Sequence, residues 1–237
     1  MTLREGRKRM KRSFLLGLFL VSMLCIAMSL YLCRQTAALQ VQNQELQNEI
    51  AAAQESLEKS IEKRQNVPAT NLMMLDPFMK QVDHDLAVQK PGKVAAFIAL
   101  DGDHIGKANL IYGAGTGTAI VKALAQCLKE SFPDKENDIL CNVGPGSDEF
   151  YLLLKNRDSS AEIEQQVQAF MEKFRAAEVT SHGVKVKGTC SAGIVLAPAE
   201  GTEFLTLYKK ADKALYHAKE NGRDRFAFYA QEKGCCI

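Results

Sequence analysis

The chain has 237 residues, of which 46% are apolar and 24% are charged. This length suits one domain with an accessory segment, and the composition excludes a disordered, collagen-like or small disulfide-stabilised protein. The net charge of +2 arises in a basic first segment, so the remainder is slightly acidic and we expect no nucleic-acid partner. The seven cysteines include no CxxC pair, which gives no indication of a zinc site or a disulfide framework.

Residues 1–13 form a basic tail, and an uninterrupted apolar segment follows over residues 14–33. A segment of this length without charge or proline crosses the hydrocarbon core of a membrane as a helix. No convincing cleavage site precedes Arg34, which favours an uncleaved anchor over a signal peptide or a buried core helix. The excess of Lys and Arg before the segment predicts a cytoplasmic tail, with everything after residue 33 outside the membrane.

Residues 34–68 are expected to form a coiled-coil stalk and a hinge. Apolar side chains recur there at spacings typical of a narrow helical seam, at Leu39, Leu46, Ile50, Ala53 and Leu57. Such a seam predicts a short dimeric coiled coil, and the alternative is a solitary polar stalk helix. Pro68 is expected to end the helix, with residues 65–71 acting as a hinge.

Residues 69–237 show a mixed α/β (α+β) pattern that predicts one domain. Strands are expected at 93–101, 138–143 and 150–154, within 184–196, and at 225–229, and helices at 118–132, 161–177 and 203–221. This order of elements, β-α-β-β-α-β-α-β, predicts a sheet with antiparallel neighbours, backed by helices, of the ferredoxin or palm type.

Two acidic clusters stand at strand ends in this pattern. Asp101-Gly102-Asp103 closes the first strand, and Asp148-Glu149 lies in the hairpin between the next two strands. Because these strands are expected to be neighbours, the clusters should converge at one edge of the sheet. Carboxylates at such a point suit Mg²⁺, which takes oxygen ligands from the protein and from substrate phosphates. A pair of solvated turns is the alternative.

The motifs around these clusters resemble a known family. GSDEF at 146–150 resembles the GGDEF signature of the diguanylate cyclases, and LDGDH at 100–104 followed by Asn109 is similar to their first metal and substrate motif. The stretch ADKALYHAKENGRDRF at 211–226 is similar to the last helix and strand of that family. The resemblance covers about residues 72–230, and the three motifs occur in the family's order.

The resemblance implies a palm-like cyclase that joins two GTP molecules into cyclic di-GMP as a homodimer, with Mg²⁺ or Mn²⁺ as cofactor. It implies metal ligation by the carboxylates of Asp101 and Asp148 and by the carbonyl of Gly102, and a catalytic role for Asp148 and Glu149. The positions implied to contact the nucleotide are Asn109, Thr118, Gly146, Ser147, Lys219 and Arg223.

Several residues depart from the family pattern. Ser147 replaces the second signature glycine, and the approach to the signature is two residues longer over Asn142-Val143-Gly144-Pro145. Thr118 stands where many members carry an aspartate that reads guanine, and a hydroxyl discriminates purines less well, so ATP is a further candidate substrate. The second hypothesis is therefore a degenerate domain that serves as a nucleotide-binding or protein-interaction module.

The expected location contains a conflict. An active cyclase needs cytoplasmic GTP, whereas the positive-inside bias predicts that the domain lies outside a single-pass membrane anchor. A third hypothesis follows the topology alone, because a basic tail, one span and an external coiled coil also occur in small bacterial division proteins. We favour the cytoplasmic domain, since the carboxylates of the resembled site are intact.

Overall fold

The computed structural model describes residues 3–232 and contains two compact units, Met1–Ser60 and Ile61–Ile237. The helices are α1 (Leu3–Gln65), α2 (Leu75–Ala87), α3 (Ile105–Tyr112), α4 (Thr116–Ser131), α5 (Ser160–Ala176), α6 (Phe204–Glu220) and α7 (Tyr229–Glu232). The strands are β1 (Asn66–Val67), β2 (Leu72–Met73), β3 (Val94–Gly102), β4 (Asp138–Asn142), β5 (Glu149–Arg157), β6 (Val179–Ser181), β7 (Val184–Val186), β8 (Cys190–Ala197) and β9 (Phe226–Phe228).

The first unit contains helix α1 as far as Ser60, including the segment predicted to cross a membrane. From Leu16 onward this is the one helix, among the described residues, with the length and composition of a membrane span. Leu39, Leu46, Ile50 and Leu57 are exposed along the same helix. An exposed apolar seam of this kind is compatible with the predicted coiled coil, whose pairing stays a prediction.

The second unit is built on a seven-stranded sheet in the order β1-β2-β4-β5-β3-β8-β9. Strand β3 lies in the interior of the sheet and pairs antiparallel with both β5 and β8. All but the last two residues of β3 are apolar, as a strand with both faces covered requires. The predicted sheet with antiparallel neighbours and helices on it is confirmed.

Both faces of the sheet carry a hydrophobic core. Helices α4 and α5 cover one face, where Leu124, Leu128 and Phe170 pack against alternate residues of the central strands. Helices α2 and α6 cover the other, where aromatic side chains gather at Phe78, Phe97, Tyr151 and Phe204. The two layers follow from the strand period, since successive side chains point to opposite faces.

Three features differ from the sequence-based expectation. Residues 66–73, which include most of the predicted hinge, contain the β1–β2 pair, and β2 joins the sheet by pairing with β4. Helix α1 ends at Gln65, before Pro68 as predicted. The pattern did not indicate α2, α3, β6 or α7, and the region 184–196 holds β7 and β8, separated by Lys187-Gly188-Thr189, instead of one strand.

Helix α6 lies very close to strand β8. A Cβ atom on Gly193 would stand 2.1 Å from the carbonyl oxygen of Ala211 and 2.3 Å from the backbone nitrogen of Leu215. The helix presents small buried side chains at this contact, Ala211 and Ala214. Because α6 carries Lys219 near its end, this close contact determines where that lysine stands relative to the sheet.

Candidate functional site

The two acidic clusters meet at one edge of the sheet, as the sequence predicts. Asp101 at the end of β3 lies opposite Glu149 at the start of β5. The backbone nitrogen of Gly102 donates to the carbonyl of Asp148 at 3.0 Å. A Cβ atom on Gly102 would lie 3.7 Å from the Cβ of Asp148. Four residues that the resemblance singled out are therefore immediate neighbours.

Electrostatics at this edge favour a bound cation. Burial raises the pKa of Asp101 above its ordinary value, although the hydrogen bond from Lys219 acts in the opposite direction. Partial desolvation, followed by the charges of Asp101 and Asp148, raises the pKa of Glu149. Carboxylates that repel one another in a partly dry site are stabilised by a positive charge placed between them.

Lys219 supplies such a charge in this structure. Its Nζ lies 2.8 Å from Oδ1 of Asp101, and both side chains are partly buried. The family resemblance implies a role for Lys219 at the phosphates of a nucleotide, and the structure brings its ammonium to the carboxylate of Asp101. A hard divalent cation would share Asp101 with this lysine.

The carboxylate of Asp103 is hydrogen-bonded to other parts of the fold, although the sequence grouped it with Asp101. It is buried, and its carboxylate accepts hydrogen bonds from the hydroxyls of Thr189 at 2.9 Å and Ser191 at 2.8 Å. It also accepts from the backbone nitrogen of Asp224 at 3.1 Å. Asp103 therefore anchors the turn after α6, which is a structural role that the motif did not reveal.

The turn after α6 holds the second cationic residue of the candidate site. Arg223 and Asp224 both adopt the left-handed region, at φ 60° and 49°. Arg175 clamps Asp224 with two hydrogen bonds, at 2.8 and 3.0 Å. The guanidinium of Arg223 donates to the carbonyl of Lys219 at 3.4 Å, so it stands at the C-terminal end of α6 and makes no described contact with the carboxylates.

The signature turn is held by a side chain that the sequence analysis did not select. Asn142, buried at the end of β4, donates from Nδ2 to the carbonyls of Ser147 at 3.2 Å and Glu149 at 3.0 Å. Its Oδ1 accepts from the hydroxyl of buried Thr70 at 3.3 Å. The carbonyl of Gly144, in the longer approach, accepts from the nitrogen of Ser147 at 3.1 Å and closes that approach as a turn.

Ser147 fits this turn without visible strain. Gly146 in the signature has a left-handed backbone, at φ 81°, whereas the φ of Ser147 is not positive. The Oγ of Ser147 accepts from the nitrogen of Glu149 at 3.1 Å, the local bond that serine makes in turns. The glycine-to-serine departure therefore leaves the turn intact and adds a hydroxyl to it.

We expect Asn142→Leu to lower the free energy of unfolding by about 2 kcal/mol, because it leaves two signature-turn carbonyls without their donor. Thr70→Val removes only the hydroxyl donor to the same side chain and should lower it by about 1 kcal/mol. Urea unfolding followed by far-UV circular dichroism measures both. Identical unfolding midpoints for Asn142→Leu and the wild type would contradict this role of Asn142.

A second group of predicted residues lies at the start of α4. Oδ1 of Asn109 accepts from the backbone nitrogen of Gly117 at 2.7 Å, and Thr118 is exposed beside it. A Cβ atom on Gly117 would stand 2.7 Å from Cγ2 of Ile105, so helices α3 and α4 are in close contact there. Ile105 also lies 3.0 Å from the Cβ position of Gly102 and so connects the two halves of the site.

The oxygen atoms at the sheet edge are of the type that a hard divalent cation binds. Asp101 and Asp148 supply carboxylates and Gly102 a backbone carbonyl, the ligands that Mg²⁺ shares with waters and substrate phosphates. Among the described residues, no group of three or more His, Cys, Asp or Glu side chains is arranged to hold a metal ion. A metal at this edge would therefore complete its coordination with oxygen atoms of waters or of a bound phosphate.

A sequence match shows the family of this chain. The sequence pattern of the diguanylate cyclase GGDEF domain matches residues 68–225, which is more than half of the chain. The chain belongs to the GGDEF-domain family. The family assignment confirms the predicted resemblance and fold class.

The relatives carry names from both the synthesis and the degradation of one messenger. The chain is 30% identical to the cyclic di-GMP phosphodiesterase PdeR of Escherichia coli over 64% of this chain and 22% of that protein. It is 26% identical to the probable diguanylate cyclase DgcT of the same organism, over 67% of this chain and 34% of that one. The chain thus spans about a fifth to a third of the length of these curated relatives.

Solved structures show the same fold. A structure of the coiled coil and GGDEF domain of DgcB from Caulobacter crescentus, in complex with c-di-GMP, superposes with a TM-score of 0.65. It is 19% identical and covers 80% of this chain and 98% of that one. A sensory box/GGDEF family protein from the same species gives a TM-score of 0.60 at 26% identity, covering 67% and 99% of the two chains.

Proposed function

We propose that this GGDEF-family chain is a membrane-anchored nucleotidyl cyclase. It condenses two GTP molecules, or GTP with ATP, into a cyclic dinucleotide such as cyclic di-GMP. The observation that carries the proposal is the sheet edge, where Asp101, Gly102 and Asp148 stand together with the ammonium of Lys219 beside them. Carboxylates and a flexible cationic side chain at one point suit a triphosphate that arrives with its metal ion.

The residues of this edge have separate roles in the proposed reaction. Asp101, Asp148 and the carbonyl of Gly102 would hold Mg²⁺ or Mn²⁺, which polarises the phosphate under attack and neutralises the leaving pyrophosphate. Glu149, whose pKa is raised, is placed beside them as a candidate proton acceptor for the attacking hydroxyl. The phosphates would be bound by the residues that the resemblance implies, Lys219, Gly146, Ser147 and Arg223.

The purine would bind at the start of α4. Asn109 already holds the nitrogen of Gly117, and exposed Thr118 stands one residue further on. A threonine hydroxyl both donates and accepts, so it tolerates guanine and adenine edges more evenly than a carboxylate does. This is the basis for including ATP among the substrates.

A homodimer follows from the chemistry of the product. Each domain offers one such edge, so two nucleotides need two protomers facing each other. The exposed apolar seam at Leu39, Leu46, Ile50 and Leu57 supplies a means of pairing them through a coiled coil. The preceding apolar segment would anchor the dimer in the cell membrane with the domain in the cytoplasm, which a reporter fused to the C-terminus tests directly.

A second function is favoured by one observation. In this structure Lys219 pairs with the metal carboxylate Asp101, and such a pair would also suit a domain that binds nucleotide without turning it over. The test is to incubate the detergent-solubilised full-length chain with GTP, with ATP and with both, in Mg²⁺ or Mn²⁺, and to identify products by mass spectrometry. A cyclic dinucleotide supports the cyclase, whereas bound but unchanged nucleotide supports the binding module.

A further inference from the structure

A small hairpin outside the main sheet reaches the start of α4. Strands β6 and β7 form a separate two-stranded sheet in which Ser181 pairs with Val184. The two residues between them, His182 and Gly183, have φ of 50° and 78°. Two successive left-handed residues form the tight turn that matches the twist of a hairpin, and His182 occupies the tip of that turn.

The tip of this hairpin makes three contacts with the loop between α3 and α4 and with the first residue of α4. Nε2 of His182 lies 2.9 Å from the carbonyl oxygen of Ala114, and because that oxygen can only accept, the ring nitrogen donates. The hydroxyls of Ser181 and Thr116 are 2.9 Å apart. The His182 ring also covers Gly113, whose Cβ position would lie 3.1 Å from Cδ2 of the ring.

The contacted loop contains two glycines and a few local hydrogen bonds, among them one from the nitrogen of Thr116 to the carbonyl of Gly113 at 3.3 Å. Gly113 and Gly115 flank Ala114 with φ of 99° and 90°, values that glycine reaches readily and that leave the chain free in the absence of contacts. Oδ1 of Asn109 holds the nitrogen of Gly117, two residues after Gly115. Besides its local hydrogen bonds, the loop region is held from two directions, by Asn109 of α3 and by Ser181 and His182 of the hairpin.

We infer that His182 is a positioning residue for the purine end of the nucleotide site. Its hydrogen bond to Ala114 fixes the glycine-flanked loop and with it the first turn of α4, where Gly117 and Thr118 stand. The inference rests on the proposed function in one respect, that the purine binds beside Asn109 and Thr118. In this inference His182 acts through the loop, because its ring nitrogen is engaged with the carbonyl of Ala114.

Two amide substitutions at His182 test whether a hydrogen bond to Ala114, rather than the imidazole ring itself, holds the loop. His182→Asn retains a residue that tolerates the left-handed backbone, but its amide is too short to reach Ala114. His182→Gln extends the same amide group to about the position of Nε2 and should restore the hydrogen bond. The matched control is Lys185→Gln, since Lys185 lies on the same hairpin and pairs with Glu178 at 2.8 Å, away from the loop.

The experiment uses the full chain in detergent micelles with Mg²⁺. A fluorescent GTP analogue measures nucleotide binding, and amide hydrogen exchange measures the mobility of the loop. We expect His182→Asn to weaken nucleotide binding about fivefold to tenfold and to speed amide exchange in residues 114–118. His182→Gln and Lys185→Gln should both stay within about twofold of the wild type. Unfolding midpoints should be the same for the wild type, His182→Asn and Lys185→Gln, and slightly lower for His182→Gln, because glutamine tolerates the left-handed backbone less well than asparagine.

The outcomes distinguish this inference from the proposed function. Wild-type affinity and exchange in His182→Asn would overturn the inference while leaving the cyclase proposal intact. Equal weakening in His182→Asn and His182→Gln would also overturn it, because a hydrogen bond would then not be the cause. A wild-type chain that binds no guanine nucleotide is a failure of the proposed function and removes the site that His182 would position.

Discussion

Replacing Asp148 by Asn will reduce dinucleotide formation from GTP by at least about a thousandfold. The change retains the shape of the side chain but removes one of the two carboxylates that would hold the metal at the sheet edge. Asn142 holds the surrounding turn through backbone carbonyls, so the fold should be unaffected by the substitution. Quantitative mass spectrometry of the product under saturating GTP and Mg²⁺ measures the loss.

The matched control for this substitution lies at the opposite end of the same strand. Asp158 follows the last residue of β5 as Asp148 precedes the first, and the two carboxylates are separated by the length of the strand, about 30 Å. Asp158 is exposed and pairs with Lys93. Asp158→Asn should retain wild-type activity, and full activity in Asp148→Asn would show that the chemistry takes place elsewhere.

Gly193→Ala is expected to destabilise the fold strongly, because the contact between β8 and α6 leaves no space for a methyl group. The added carbon would stand 2.1 Å from the Ala211 carbonyl and 2.3 Å from the Leu215 nitrogen, both backbone atoms that cannot rotate away. Helix α6 must then move off strand β8. We expect the free energy of unfolding to fall by at least about 3 kcal/mol, measured by urea unfolding. Nucleotide affinity should fall too, because Lys219 moves with α6.

Gly106→Ala is the control, because it makes the same glycine-to-alanine change at a position with free space. Gly106 lies in helix α3 with no heavy atom within 4 Å of the position that its Cβ would take. Alanine favours a helix over glycine, so this variant should be as stable as the wild type or more stable by up to about 1 kcal/mol. If the two variants unfolded at the same urea concentration, the close contact between α6 and β8 would not be a determinant of stability.

The sequence predicts the central part of the fold because its signals are local. The apolar run that forms β3 and the periodic faces of α4, α5 and α6 are recorded in residue spacing alone. Strands β1 and β2 have two residues each and hold their places through pairing with the sheet, so no window of sequence contains that information. The β6–β7 hairpin was missed for a related reason, since its three-residue strands are too short to show a period.

The convergence of the two acidic clusters could be predicted from the sequence, whereas the hydrogen-bond partners of the individual carboxylates could not. Acidic residues at the ends of neighbouring strands indicated where Asp101 and Asp148 would meet, because antiparallel pairing brings a strand end beside the next strand start. The separation of Asp103 from Asp101 was not predictable from the motif. Which carboxylate is buried depends on Thr189, Ser191 and Asp224, three partners far away in sequence.

The roles of Asn142 and Lys219 depend on packing across the fold. Asn142 donates to the carbonyls of Ser147 and Glu149, five and seven residues further along the chain. The turn between them has a length that departs from the family pattern. Its importance follows from that longer turn, which the sequence revealed as an insertion without showing what holds it. Lys219 reaches Asp101 only because α6 lies so close to β8 at Gly193.

The most direct test of the proposed nucleotidyl cyclase is the stoichiometry of its products. Condensation of two GTP molecules releases one pyrophosphate for each nucleotide that enters the cyclic dinucleotide. We therefore expect about two pyrophosphates per cyclic dinucleotide, with no GDP, from the full-length chain and Mg²⁺, and a rate that rises with the dimeric fraction. GDP and inorganic phosphate as the products, or no turnover by a folded dimer, would contradict the central claim.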